Sequence, residues 1–63
     1  MKLVKLNETS WNVMENGSII ANVERVSKYD GSYEITSELS NKTAWALRKS
    51  DIIRWTKKIL DRQ

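Results

Sequence analysis

The stretch that decides the fold is Trp11-Asn12-Val13-Met14-Glu15-Asn16-Gly17-Ser18-Ile19-Ile20-Ala21-Asn22-Val23-Glu24. At its centre Asn16-Gly17 marks a hairpin, because glycine takes the positive φ that tight β-turns demand without steric cost. Register then separates two turns. A two-residue turn would set Val13 against Ile20 and Met14 against Ile19, scattering apolar side chains over both faces. A three-residue loop, Glu15-Asn16-Gly17 with Gly17 left-handed in a bulge, sets Val13 against Ile19 and Trp11 against Ala21. Trp11, Val13, Ile19, Ala21 and Val23 then share one face, and Asn12, Ser18, Asn22 and Glu24 the other. A one-residue slip moves every side chain to the opposite face, so the amphipathic register with the bulged loop is the expected one.

Working outward, Asp30-Gly31 marks a second turn, and Ser32-Tyr33-Glu34-Ile35-Thr36 alternates as a half-buried strand does, with Tyr33 and Ile35 joining the Trp11 face. Residues 25–29 break strict parity, since Val26 falls outside if Val23 is inside, and predict a bulge or loop. Residues 37–42 are polar and read as a connection. Thr43-Ala44-Trp45-Ala46-Leu47-Arg48 fits a fourth strand with Trp45 and Leu47 inward, or a helix running on from Ser40. The strand is preferred because Ser50 and Asp51 look like a fresh helix start, a hydroxyl N-cap and a first-turn carboxylate. On the other side, Leu3, Val4 and Leu6 make residues 1–6 an extension or forerunner of the first strand.

From Asp51 to Arg62 the period is helical. Ile52, Ile53, Trp55, Thr56, Ile59 and Leu60 fall within about 160° of arc at roughly 100° per residue. Arg54, Lys57, Lys58, Asp61 and Arg62 take the other side. An arc that wide suits a helix lying on a sheet, and a lone sheet needs such a cover. The expected fold is therefore α+β: a small antiparallel β-meander of three to four strands with one C-terminal helix packed on one face, in a single domain spanning residues 1–63.

Composition removes whole classes of chemistry. The 63 residues include no Cys, His, Pro or Phe, so there is no thiolate nucleophile, no imidazole base and no Cys/His metal site. A chain this short buries only about 60% of the surface its unfolded form exposes, too little body to enclose an ordinary ligand pocket. Glu34 and Glu38 are the nearest thing to paired carboxylates, with no apolar pocket evident around them. Ser50 beside Lys49 is read as a helix cap. Neither an enzyme nor a cofactor is expected. No apolar run approaches the ~20 residues of a membrane span, Lys5 and Asn7-Glu8 interrupt any signal core, and a cytoplasmic location is expected.

Charge is the most informative remaining feature. Residues 1–41 hold four basic and six acidic residues, a net −2, whereas residues 42–63 hold seven basic and two acidic, a net +5. Such polarity points to an anionic partner meeting the helix side. Arg54, Lys58 and Arg62 form an i, i+4, i+8 stripe with Trp55 at its border, and Trp with Arg is the pairing enriched at protein hot spots. The expected role is a non-enzymatic protein that docks stoichiometrically on an acidic surface of a larger protein, through Trp55 as anchor and Arg54, Lys58 and Arg62 as rim, to modulate or inhibit it. The alternative is RNA or DNA binding through Arg48, Lys49, Arg54, Lys57, Lys58 and Arg62, where phosphate contact would combine with base stacking on Trp55. Trp11 and Trp45 are assigned to the core. Ile20 and Val26, outside in the preferred register, offer a second surface. Either a monomer or a homodimer is compatible with the size.

Codon preference hints at origin: Phe, Tyr, Met, Ile, Asn and Lys total 22 residues against 9 for Gly, Ala, Arg and Pro. That bias fits the AT-rich genome of a bacterium, phage or virus, and the expected role is that of a phage or mobile-element accessory factor acting on a host protein. In element order, strands followed by a helix, the chain also resembles the small arm-binding modules of phage integrases; the likeness rests on outline alone, and no residue role is carried over from it.

Overall fold

A computed structural model describes residues 1–26 and 31–60. Within them lie β1 (Lys2–Lys5), β2 (Ser10–Glu15), β3 (Ser18–Val26), β4 (Ser32–Ser37), β5 (Thr43–Ala46), a 3₁₀ turn (Lys49–Asp51) and α1 (Ile52–Ile59). All neighbouring strands are antiparallel, in the order β1-β2-β3-β4-β5. The class is α+β as expected, but the meander has five strands, because residues 2–5 pair with β2 as a separate edge strand rather than prolonging it.

The β2–β3 hairpin corrects the expected register. Asn16 (φ 52°) and Gly17 (φ 79°) are both left-handed, the signature of a two-residue type I′ turn, whose twist matches the flanking strands. Glu15 therefore faces Ser18 and Met14 faces Ile19. The register then shifts: Val13 faces Ala21 and Trp11 faces Val23, leaving Ile20 as the extra residue of a β-bulge. The bulge absorbs the slip that counted against this turn. Trp11, Val13, Ala21 and Val23 still share the buried face, but Ile20 joins them at 4% exposure while Ile19 is 45% exposed, the reverse of the expected assignment.

On the buried face the rows read Leu3-Val13-Ala21-Ser37, Trp11-Val23-Ile35-Ala44 and Arg25-Tyr33-Ala46. Trp11 and Tyr33 meet edge to face, 5.4 Å between centroids. Helix α1 lies against β4 and β5 and inserts Ile52, Thr56 and Ile59. The buried Thr56 hydroxyl donates to the Ile52 carbonyl at 2.8 Å, so it costs no orphan polar group.

Strand β5 exists as preferred, with its faces exchanged. Ala44 and Ala46 are inward beside Ile35 and Tyr33, whereas Trp45 (50% exposed) and Leu47 (78%) face out. The reason is clearance: α1 sits over β5, and only small side chains leave room beneath it. The start of the helix also differs from expectation. The Asp51 N–H bonds to the Arg48 carbonyl at 3.0 Å, which places Ser50 inside the 3₁₀ turn, and neither helical segment has a side-chain cap. Asp61 and Arg62 at the end of the expected helix, and the irregularity expected beyond Val26 with Asp30 of the second turn, lie outside the described residues. Gly31 of that turn is left-handed (φ 73°).

Candidate functional site

Ile52, Thr56 and Ile59 of α1 turn inward, Ile53 and Trp55 pack on the edge of the core, and the opposite side of the helix faces solvent. Arg54, Lys57 and Lys58 are exposed there, and Arg48 and Lys49 are exposed just before the helix. Among the described residues, no carboxylate pairs with Arg48, Arg54 or Lys57. Trp55 is half-buried and packs on the core, and the Lys58 ammonium stands 4.9 Å from its ring centroid, a cation–π contact. The Lys49 ammonium lies 5.6 Å from the Trp11 ring, which ties the residues before the helix to the sheet. The structure thus brings Arg54, Trp55, Lys57 and Lys58 together; Arg62 of the expected stripe lies outside the described residues.

The second surface expected at Ile20 and Val26 is not formed by those residues as a pair. Ile20 is buried and Val26 is half-buried. The open side of the sheet is polar at its centre, where the rows read Val4-Asn12-Asn22-Thr36-Thr43 and Ser10-Glu24-Glu34-Trp45, and apolar toward the β2–β3 turn, where Met14 faces Ile19. Glu24 and Glu34 stand directly opposite each other, an arrangement of like charges that costs roughly 0.2–1 kcal/mol. Glu38, which the sequence pairs with Glu34, accepts a hydrogen bond from the Asn22 amide. Between these rows lies a shallow concavity of about 220 Å³ lined by Leu6, Ser10, Asn12, Asn22, Glu24, Glu34 and Thr36 among others. Asn12 is only 9% exposed, and no described residue hydrogen-bonds its amide.

Sequence reasoning missed this face because it counted Asn12, Asn22 and Glu24 as solvated outer positions. Their alignment into rows depends on cross-strand register, which alternation along one strand does not carry. The usable signal was that a meander covered by one helix leaves its other face open. The described residues hold no cluster of three or more His, Cys, Asp or Glu side chains placed to bind a metal, and no described helix is long and apolar enough to cross a membrane. Comparison with protein-family models, curated proteins and solved structures gives no match to this chain.

Proposed function

We propose that this chain is a non-enzymatic binding protein that docks stoichiometrically, in the cytoplasm, on an acidic surface of a larger protein and so modulates or inhibits it. The observation that supports the reading is the set of exposed cations on the solvent side of α1, where no carboxylate among the described residues pairs with Arg54 or Lys57. Exposed cations of one sign raise association rates with an oppositely charged surface and discourage wrong partners. Trp55 supplies the apolar edge of the contact. Its ring is shared between the core and the Lys58 ammonium, which leaves little face for a nucleobase and favours a protein partner over a nucleic acid.

The test pairs a lysate capture with a nucleic-acid titration, both run on the wild-type chain and on Arg54→Glu/Lys57→Glu. A protein captured in a one-to-one ratio by the wild type, and lost with the reversed charges while the far-UV spectrum is unchanged, is the expected result. Undiminished capture by the charge-reversed variant sinks the reading. If the wild type instead binds DNA with a log–log salt slope of about −3.6 on duplex or −2.8 on single strands, four phosphates are engaged and the nucleic-acid alternative takes its place.

A further inference from the structure

We infer that the open face of the sheet is a second docking site, whose occupant is an arginine side chain presented by a segment of a partner protein. Two independent features meet in one concavity, and a third stands beside it. Its rim carries Glu24 and Glu34, directly opposed across β3 and β4. Its wall carries Asn12, nine-tenths buried and with no hydrogen-bond partner among the described residues. Asn12 is not among the fully sealed unpaired groups, of which Trp11 Nε1 is the described example, so its amide reaches the solvent of the concavity. The third feature is Trp45, half-exposed and opposite Glu34 on the outer side of β5.

Together these groups specify the ligand. Two carboxylates and an amide oxygen are acceptors, and carboxylates are acceptors only. A guanidinium offers five donors in a planar fork that matches a carboxylate two bonds at a time, and its flat face stacks on an indole. An ammonium is a point charge with neither property, so arginine should be preferred to lysine. The opposed glutamates repel each other in the free protein, and a bound cation relieves that repulsion. The chain as a whole carries +3 and so repels a cationic peptide at long range; attraction at this face has to come from the local acceptors. This site lies on the side of the sheet away from α1 and stands or falls separately from the helix-docking reading.

The test is an NMR titration of the ¹⁵N-labelled full chain with the blocked peptide Gly-Arg-Gly, alongside Gly-Lys-Gly and the uncharged, nearly isosteric citrulline peptide. The expected result is shifts centred on the Asn12 side-chain amide, the Glu24 and Glu34 backbone and Trp45 Nε1, strongest for arginine and absent for citrulline. Glu34→Gln keeps the strand and should weaken the arginine peptide about tenfold, the loss of a charge-assisted pair. Asn12→Ala serves as the second variant and should reduce arginine binding without abolishing it. Equal responses to arginine and citrulline, or shifts at Glu8 and Glu15 as large as at Glu34, overturn the inference. So does concentration-dependent self-association of the unliganded chain that Glu34→Gln abolishes, because the occupant would then be the basic helix of a second copy.

Discussion

Replacing Ile19 and Ile20 in turn by alanine tests the bulge, because the two possible registers make opposite predictions. In the bulged register Ile20 is 4% exposed and lies in the core cluster, whereas Ile19 is 45% exposed on the open face. Truncating a buried isoleucine to alanine costs about 2–5 kcal/mol, the transfer term plus the cavity left behind. A half-exposed one forfeits only about 1 kcal/mol of burial. A chain of 63 residues at ordinary density of stability has about 3–9 kcal/mol in total, so Ile20→Ala removes a large share of it. At 4–8 °C per kcal/mol in a domain this small, the minimum loss is about 8 °C in Tm. Urea titration followed by far-UV circular dichroism gives the free energies, and an unchanged slope with denaturant confirms that the unfolded state is comparable. Should Ile19→Ala prove as costly as Ile20→Ala, or costlier, the three-residue loop is the true turn and the bulge does not exist.

Three further substitutions examine other joints of the structure. Gly17→Val should cost at least about 1–2 kcal/mol from positive φ alone, since a Cβ at Gly17 meets nothing within 4 Å; Gly17→Asn should cost clearly less, and equal Tm values for the two would refute the left-handed assignment. Ala46→Leu should lose about 1–3 kcal/mol by overpacking beneath α1, whereas Trp45→Ser on the opposite side of the same strand should stay within about 1 kcal/mol by urea titration. Glu34→Gln should raise stability by roughly 0.2–1 kcal/mol by removing the like-charge pair with Glu24, and a loss of stability in urea titration would refute the repulsion.

What could be read from the sequence was whatever depends on period. The inward face of α1 and the set Trp11, Val13, Ala21 and Val23 follow from spacing alone, and the structure has them so. What failed depended on tertiary clearance or on a choice between neighbours of equal chemistry. Ile19 and Ile20 are the same residue, so only the placement of the bulge distinguishes them, and that placement follows from the turn. The overlooked clue was Asn16: asparagine visits the left-handed region more readily than most residues, which permits the type I′ turn that Glu15 would have hindered at the same place. Trp45 was assigned inward by size, yet the space between β5 and α1 is set by how near the helix lies, and alanine permits the closer approach. The exposure of Arg54, Lys57 and Lys58 was legible from the helical period; the row joining Glu24, Glu34 and Trp45 was not, because it spans three strands.

The polarity of the sequence becomes a polarity of faces through the topology. The acidic two-thirds of the chain builds β1 to β4, and the basic third adds β5 and then lies over β4 and β5 as α1. A single helix covers one face only, and the other is tolerable in water because its central rows are asparagine, threonine, serine and glutamate rather than aliphatic. The β1 edge is guarded in keeping: Lys2 and Lys5 are the first and last of its four residues, and short, lysine-bearing edge strands resist pairing with a further strand. With cations on one side and opposed carboxylates on the other, the two proposed docking surfaces select partners of opposite sign. An acidic surface drawn to Arg54 and Lys57 is repelled at Glu24 and Glu34, and an arginine-bearing segment meets the reverse. Specificity between them needs no shape difference, since each face holds the repulsive element that excludes the other's ligand.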